Sequence, residues 1–187
     1  MQIIQPQFEY TGWELHPDCL VKIQELLLPE VEETHCLNVL EFGSGKSTDV
    51  LLKFAKMNNL SGKHLAFDAY APFAHPEAII TPLQTYSKEI FGPDFVFYDR
   101  KIVQEEIDDY FNEYYISLCI VDGHHGHGRS MAFSVLKDAV GGYKGTYVVI
   151  DDYDHYPFIR DFLLCFPDAK EICRHWEDRS RWVIFQI

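Results

Sequence analysis

Apolar positions along this chain fall into two rhythms that alternate. Short unbroken runs read as buried strands, and segments with apolar residues every three or four positions read as helices. In residues 16–28, HPDCLVKIQELLL, Leu20, Ile23 and Leu27 recur at helical spacing, and Asp18 is placed to cap the helix. LNVLEF (37–42) then predicts a strand stopped by Gly43. Residues 47–57 return to helical spacing through Val50, Leu51, Phe54 and Ala55, and HLAFD (64–68) predicts a second strand. TPLQTYSKEIFG (81–92) predicts a helix ended by Gly92 and Pro93, DFVFYDR (94–100) a third strand, and EEIDDYFNEY (105–114) an acidic helix. ISLCIVD (116–122) is the most apolar run and predicts a central strand. RSMAFSVLKDAV (129–140) predicts an amphipathic helix stopped by Gly141-Gly142, GTYVVIDD (145–152) a strand, and HYPFIRDFLLCF (155–166) a helix before Pro167. EICRHWED and RWVIFQI predict a closing hairpin.

Strands that are apolar on both faces, alternating with helices, predict a mostly parallel sheet covered on both sides. The fold class expected is a single Rossmann-like doubly wound α/β sheet with an antiparallel C-terminal strand. One domain spanning 1–187 is expected, with 1–35 as an N-terminal helical or lid segment. Ligands of such sheets bind at the carboxyl ends of the strands. Those ends carry acid here: Glu41, Asp68, Asp122, Asp151 and Asp152. An Asp after a strand also caps helices and makes turns, but the recurrence of acid at four strand ends points to a site.

The stretch VLEFGSGKST (39–48) decides between two kinds of nucleotide site. A P-loop needs a glycine five places before the Gly of Gly-Lys-Ser. Leu40 stands there, inside the predicted strand, so the P-loop is excluded and Lys46 reads as a solvated residue at a helix start. Strand, acid, Gly-x-Gly and helix instead suit a nucleoside site. Gly43 permits the turn, Gly45 lets the backbone approach a ligand, and the helix offers its first N–H groups to an anion. Asp68 ends the next predicted strand, 25 residues beyond Gly43. A ribose-binding acid is expected about 20 residues on.

Charge and composition narrow the partners. A formal net charge of −13 repels phosphate backbones and anionic lipid, so no nucleic acid and no membrane partner is expected. A small-molecule substrate fits better, and a homo-oligomer is compatible with everything above. Five unclustered cysteines, Cys36 and Cys119 among them in or beside apolar runs, indicate free thiols in a reducing compartment, the cytoplasm. MQIIQPQ lacks the features of a signal peptide, and no run of about 18 apolar residues is present.

E-F-G-S-G-K-S-T resembles motif I of the class I S-adenosylmethionine-dependent methyltransferases, in a variant where Ser-Thr replaces the third glycine. I-V-D-G-H-H (120–125), Gly141-Gly142 and V-V-I-D-D-Y (148–153) are similar to the small-molecule branch with an Asp-Gly-x-His motif after the fourth strand. The resemblance covers roughly residues 35–155. It implies a seven-stranded sheet with the last strand antiparallel, S-adenosylmethionine as cofactor, Glu41, Gly43, Ser44 and Gly45 lining it, and Asp68 on its ribose. A dinucleotide-binding enzyme would more usually carry G-x-G-x-x-G, and Thr48 stands where its last glycine would be.

VDGHHGHGR (121–129) places Asp122, His124, His125 and His127 together. A glycine-containing loop can bring two such histidines onto a metal or leave all of them solvated. Asp122, Asp151 and Asp152 sit at the ends of strands that can be neighbours, and three converging carboxylates repel unless a proton or cation neutralises them. Mg²⁺ or another divalent cation suits such hard ligands, and the arrangement resembles the magnesium-dependent O-methyltransferases. Methyl transfer to oxygen also needs a base, for which His124, His125 and Asp122 are the candidates. FEYTGWEL (8–15) reads either as a lid over an apolar or aromatic substrate or as packing on the sheet. The function expected is methylation of a small molecule at oxygen. Its alternatives are a non-catalytic binding protein of the same fold and a metal-dependent hydrolase or oxygenase using the histidine loop.

Overall fold

A computed structural model describes residues 1–87, 94–111, 115–141, 144–177 and 180–187. Among them the elements run α1 (Pro17–Thr34), β1 (Val39–Phe42), α2 (Lys46–Met57), β2 (His64–Asp68), β3 (Ile79–Ile80), β4 (Leu83–Tyr86) and β5 (Phe95–Tyr98). There follow α3 (Arg100–Phe111), β6 (Leu118–Val121), a 3₁₀ turn (His127–Ser130), α4 (Met131–Val140), β7 (Tyr147–Asp151), α5 (Phe158–Cys165), β8 (Lys170–Arg174) and β9 (Trp182–Gln186). The main sheet has seven strands in the order β3-β2-β1-β6-β7-β9-β8. It is parallel except at β9, which pairs antiparallel with both β7 and β8. This is a Rossmann-like α/β fold with the expected antiparallel C-terminal strand.

The continuous apolar strands explain the layering. Leu40, Phe42, Cys119, Val121, Val148 and Ile150 face one core with α3, α4 and α5, while Val39, Leu118, Ile120 and Val149 face a second core with α1 and α2. Every one of these side chains is at most 1% exposed. Burying each stabilises the sheet by about 1.5–3 kcal/mol relative to leaving it in water.

Four local expectations need correction. Residues 83–86 form β4 rather than a helix, pairing antiparallel with β5 from Leu83↔Tyr98 to Tyr86↔Phe95. The β-favouring Thr85 and Tyr86 win there, and Tyr86 stacks on Phe95 with ring centroids 5.7 Å apart. Residues 88–92 of that expected helix lie outside the described residues. The strand at 95–98 accordingly belongs to this small sheet, and the edge of the main sheet is supplied by β3, whose two residues are too few for a sequence signal. Helix α1 continues through Pro29 to Thr34, because Val31, fully buried, keeps the apolar stripe going. Its N-cap is His16, whose Nδ1 accepts from the Asp18 N–H at 3.2 Å, so Asp18 lies in the first turn. Helix α3 starts at Arg100 rather than 105, with the Asp99 carboxylate accepting from the N–H groups of Lys101 and Ile102. Residues 112–114 of the expected helix lie outside the described residues.

Candidate functional site

The strand order reverses at β1. The chain leaves it towards β2 and β3 and later returns to its other side as β6. The loops after β1 and β6 therefore part at the carboxyl edge, which is where such sheets bind ligands. They meet through glycine. Gly43 has φ +98°, and a Cβ placed on it would lie 2.4 Å from the Gly123 nitrogen. A Cβ on Gly123 would in turn lie 2.2 Å from both the Gly43 nitrogen and the Tyr98 hydroxyl. No side chain fits at this crossing.

The first loop is held by side chain to backbone bonds. Asp68, at the end of β2, accepts from the Ser44 N–H (3.1 Å) and the Ser44 hydroxyl (2.9 Å) on Oδ2, and from the Tyr70 N–H (2.9 Å) on Oδ1. The Ser44 hydroxyl accepts in turn from the His75 N–H at 3.0 Å. Gly45, at φ +143°, opens α2 and donates to Thr48 Oγ1 at 3.2 Å. A Cβ on Gly45 would meet only the Phe73 carbonyl, at 3.9 Å. Ser47 and Thr48, standing in place of further glycines, are buried, while Lys46 is exposed. Glu41, expected beside a cofactor, is fully enclosed within the sheet, with Oε2 2.6 Å from His64 Nε2 and Oε1 without a hydrogen-bond partner. Strand alternation turns it into the core instead of the crevice.

The second loop concentrates charge. Asp122 is half-buried and Asp151 is buried, and the two carboxyls are close enough to influence each other's charge. Loss of water raises Asp122 to about 6, against the pull of the nearby Arg129 guanidinium. Burial, and then the charges of Asp122 and Asp152, push Asp151 well above the usual carboxylate range. A proton is thus retained on the pair as neutrality is approached. Arg129 is only 5% exposed. Its Nε donates to the carbonyls of Gly123 (3.0 Å) and His124 (3.2 Å), and its Nη1 to that of Asp151 (3.1 Å). It stitches the ends of β6 and β7 together.

The remaining candidates separate. Asp152 takes a left-handed conformation (φ 50°), with its carboxylate 3.7 Å from His155 Nδ1. Among the described residues no group of three His, Cys, Asp or Glu side chains is placed to hold a metal ion. Asp122, Asp151 and Asp152 therefore do not form a cluster of three ligands. The histidines do not converge either. His124 is buried, Nε2 lies 2.7 Å from the Val96 carbonyl, and the ring meets Phe97 and Tyr98 edge-on. That bond places the proton on Nε2 and leaves Nδ1 as a buried acceptor without a partner. Burial lowers His124 to about 4, which makes it a weak base at neutral pH. His125 is exposed, its ring 6.1 Å from Tyr156. His127 Nε2 lies 3.0 Å from the buried Asp161, which also accepts from the Ser130 hydroxyl and Arg160. A histidine-bound metal centre finds no support in this arrangement.

Two residues carry more of the site than the sequence reading gave them. Arg129 was legible only as the single basic residue of VDGHHGHGR. Tyr10, in the N-terminal segment, feels all three carboxylates. Burial first, then Asp151, Asp152 and Asp122, raise its hydroxyl to about 12.

Comparisons with protein-family models and with curated proteins each found no match. A solved structure described as "cmcI-D160 Mg-SAM" is similar to this chain with a TM-score of 0.45 and 14% identity, over 88% of this chain and 70% of that one.

Proposed function

We propose that this chain is an S-adenosylmethionine-dependent methyltransferase that methylates a small molecule at oxygen. The observation that carries the reading is the meeting of two loops at the reversal of strand order: a Gly-Ser-Gly turn opening a helix on one side, and a proton-sharing carboxyl pair on the other. The residues of the first loop fit the cofactor. Gly45 has open space where a side chain would project, and the first-turn N–H groups of α2 have no intrahelical acceptors and suit a carboxylate. Asp68 Oδ1, which accepts one bond from the protein, keeps capacity for a ribose hydroxyl. When bound, the cofactor supplies an electrophilic methyl on a sulfonium.

The protein's own part is alignment, exclusion of water and handling of one proton. An acceptor hydroxyl beside Asp122 gives its proton to the Asp122–Asp151 pair as the new bond to carbon forms. A carboxyl raised to about 6 is a better base near neutrality than an ordinary Asp and a better one than a histidine lowered to about 4. Arg129 keeps the pair from rising further and holds the two strand ends in register. Among the described residues no group of three His, Cys, Asp or Glu side chains is placed to hold a divalent cation, and no step is assigned to one. The test is calorimetric titration with S-adenosylhomocysteine: micromolar binding supports the reading, and no binding at millimolar ligand overturns it.

A further inference from the structure

Asp161 is a buried acid that the chemistry proposed above leaves unused. It lies in the first turn of α5 and is fully enclosed. Its Oδ2 accepts from the Ser130 hydroxyl at 2.8 Å and lies 3.0 Å from His127 Nε2, which as partner to a carboxylate is the donor. Its Oδ1 accepts from Nε (3.0 Å) and Nη2 (2.7 Å) of the exposed Arg160. His127 and Ser130 are the two ends of the 3₁₀ turn, and Arg129 lies between them. A single carboxylate oxygen thus brackets the turn that carries the buried guanidinium.

The same stretch of α5 meets Arg129 directly. Phe158, three residues before Asp161 and therefore on the same face of the helix, has the guanidinium carbon 5.4 Å from its ring centroid. Tyr156, just before α5, stacks on His127 with centroids 6.1 Å apart and meets Phe158 at 5.4 Å. On its other side the turn is backed by β5: Gly128 is buried, and a Cβ there would clash with the Val96 carbonyl, the group that also meets His124. Held between α5 and β5, Arg129 is aimed at the carbonyls of Gly123, His124 and Asp151. Gly123 is the residue that crosses Gly43, so a turn that slipped would disturb both loops of the site.

We propose that Asp161 is a positioning residue for the site: by bracketing the turn from α5 it sets Arg129 against the ends of β6 and β7, and so keeps Gly123 at its crossing with Gly43 and Asp151 beside Asp122. The proposal rests on the methyltransferase reading for what the site does, and adds the residue that holds it in shape. The accepting oxygen, rather than the bulk of the side chain, carries the role. Asn in this place keeps one such oxygen, and Leu, of similar size, keeps none.

The test is hydrogen exchange of the Arg129 Nε–H, followed by NMR in the full chain and assigned by its absence from Arg129→Lys. The parent should show a slowly exchanging signal. Ser130→Ala should speed its exchange about threefold or more and Asp161→Leu about tenfold or more, while Asp161→Asn should lie nearer the parent than Asp161→Leu. Phe162→Leu is the control, since that ring packs on Phe133, Phe166 and Phe185 and leaves the bracket intact; its exchange should stay within about twofold of the parent. Unchanged exchange in Asp161→Leu, or an equal rise in Phe162→Leu, overturns the proposal. If Asp161→Leu does not fold, Ser130→Ala and His127→Phe decide, and parental exchange in both overturns it. A parallel titration with S-adenosylhomocysteine separates this from the methyltransferase reading. Asp161→Leu should weaken binding about threefold or more and Phe162→Leu should not; faster exchange with unchanged affinity would overturn the role of Asp161 in the site. No binding by the parent at millimolar ligand overturns the methyltransferase reading alone, and the hold of Asp161 on Arg129 is then decided by the exchange.

Discussion

The loops after β1 and β6 both leave strands whose apolar side chains are at most 1% exposed, and they touch through Gly43 and Gly123. Beyond that contact they diverge. In the first, Asp68 is matched by three donors from Ser44 and Tyr70, so charge is spread over backbone and hydroxyl. In the second, Asp122 and Asp151 face each other with one guanidinium nearby, and both carboxyls are raised. A satisfied carboxylate shapes a loop for binding. A carboxyl pair short of donors holds a proton that chemistry can use. One edge of one sheet thus presents a binding half and a reacting half, divided at the strand reversal.

The contact between the halves gives the largest expected effect. Gly123→Ala puts a methyl against the Gly43 backbone and should lower unfolding free energy by about 4 kcal/mol. Gly126→Ala, in the same loop with open space and φ +116°, should cost only about 1 kcal/mol. Denaturant unfolding of the pair checks whether the crossing, rather than the loop in general, carries the constraint. Next is Arg129→Met, which leaves the Gly123, His124 and Asp151 carbonyls short of a donor and the carboxyls without their cation. A loss of about 3 kcal/mol is expected, and a loss below 1 kcal/mol would show that the second half does not depend on it.

Asp68→Ala sharpens the first half. S-adenosylhomocysteine binding should weaken by about 1.5–3 kcal/mol. Ser44→Ala removes the hydroxyl's bonds to Asp68 and to the His75 N–H but leaves the acid and its two backbone donors in place, so it should weaken binding by about 1 kcal/mol or less. Equal effects would mean that Asp68 only orders the loop.

The carboxyl pair should also leave a mark on stability against pH. Both folded values are raised, so the folded state prefers the protonated form. Their contribution is therefore most favourable below the ordinary carboxylate value and is lost as pH rises through about 6. His124 slopes the other way: it is lowered to about 4, so stability is lost as pH falls from about 6.5 towards that value. Asp151→Asn isolates the first term. Its stability relative to the parent should grow by about 1–2 kcal/mol between pH 4 and pH 8, read from thermal melts across that range. A constant difference would mean that the pair is not raised. The smallest effect is at His125: exposed, it should change stability by less than about 0.5 kcal/mol when replaced by Ala.

Much of the frame was legible because buried strands write themselves plainly. LCIV and YVVI could only be core, and the acids after them had to reach the edge. Two elements escaped for different reasons. The pair Ile79–Ile80 is too short to show a period, and LQTY, exposed at its two middle residues, shows no alternation within a stretch whose flanks suggested a helix. At the site, Gly43, Ser44 and Asp68 could be placed by spacing alone, because backbone geometry fixes them. Glu41 could not, since one step of strand alternation decides between crevice and core. His124 and Arg129 depend on tertiary partners, Val96 and the β7 carbonyl, which no local pattern encodes. Tyr10 is linked to Trp182 of β9 through His16 and His175, residues from opposite ends of the chain.

The division into a binding half and a reacting half stands on the first loop taking the cofactor. Calorimetric titration of the parent chain and of Asp68→Ala with S-adenosylhomocysteine tests that directly. The account predicts one site of micromolar affinity in the parent, weakened tenfold or more in the variant. No heat of binding at millimolar ligand in the parent, or equal affinity in both, would contradict it.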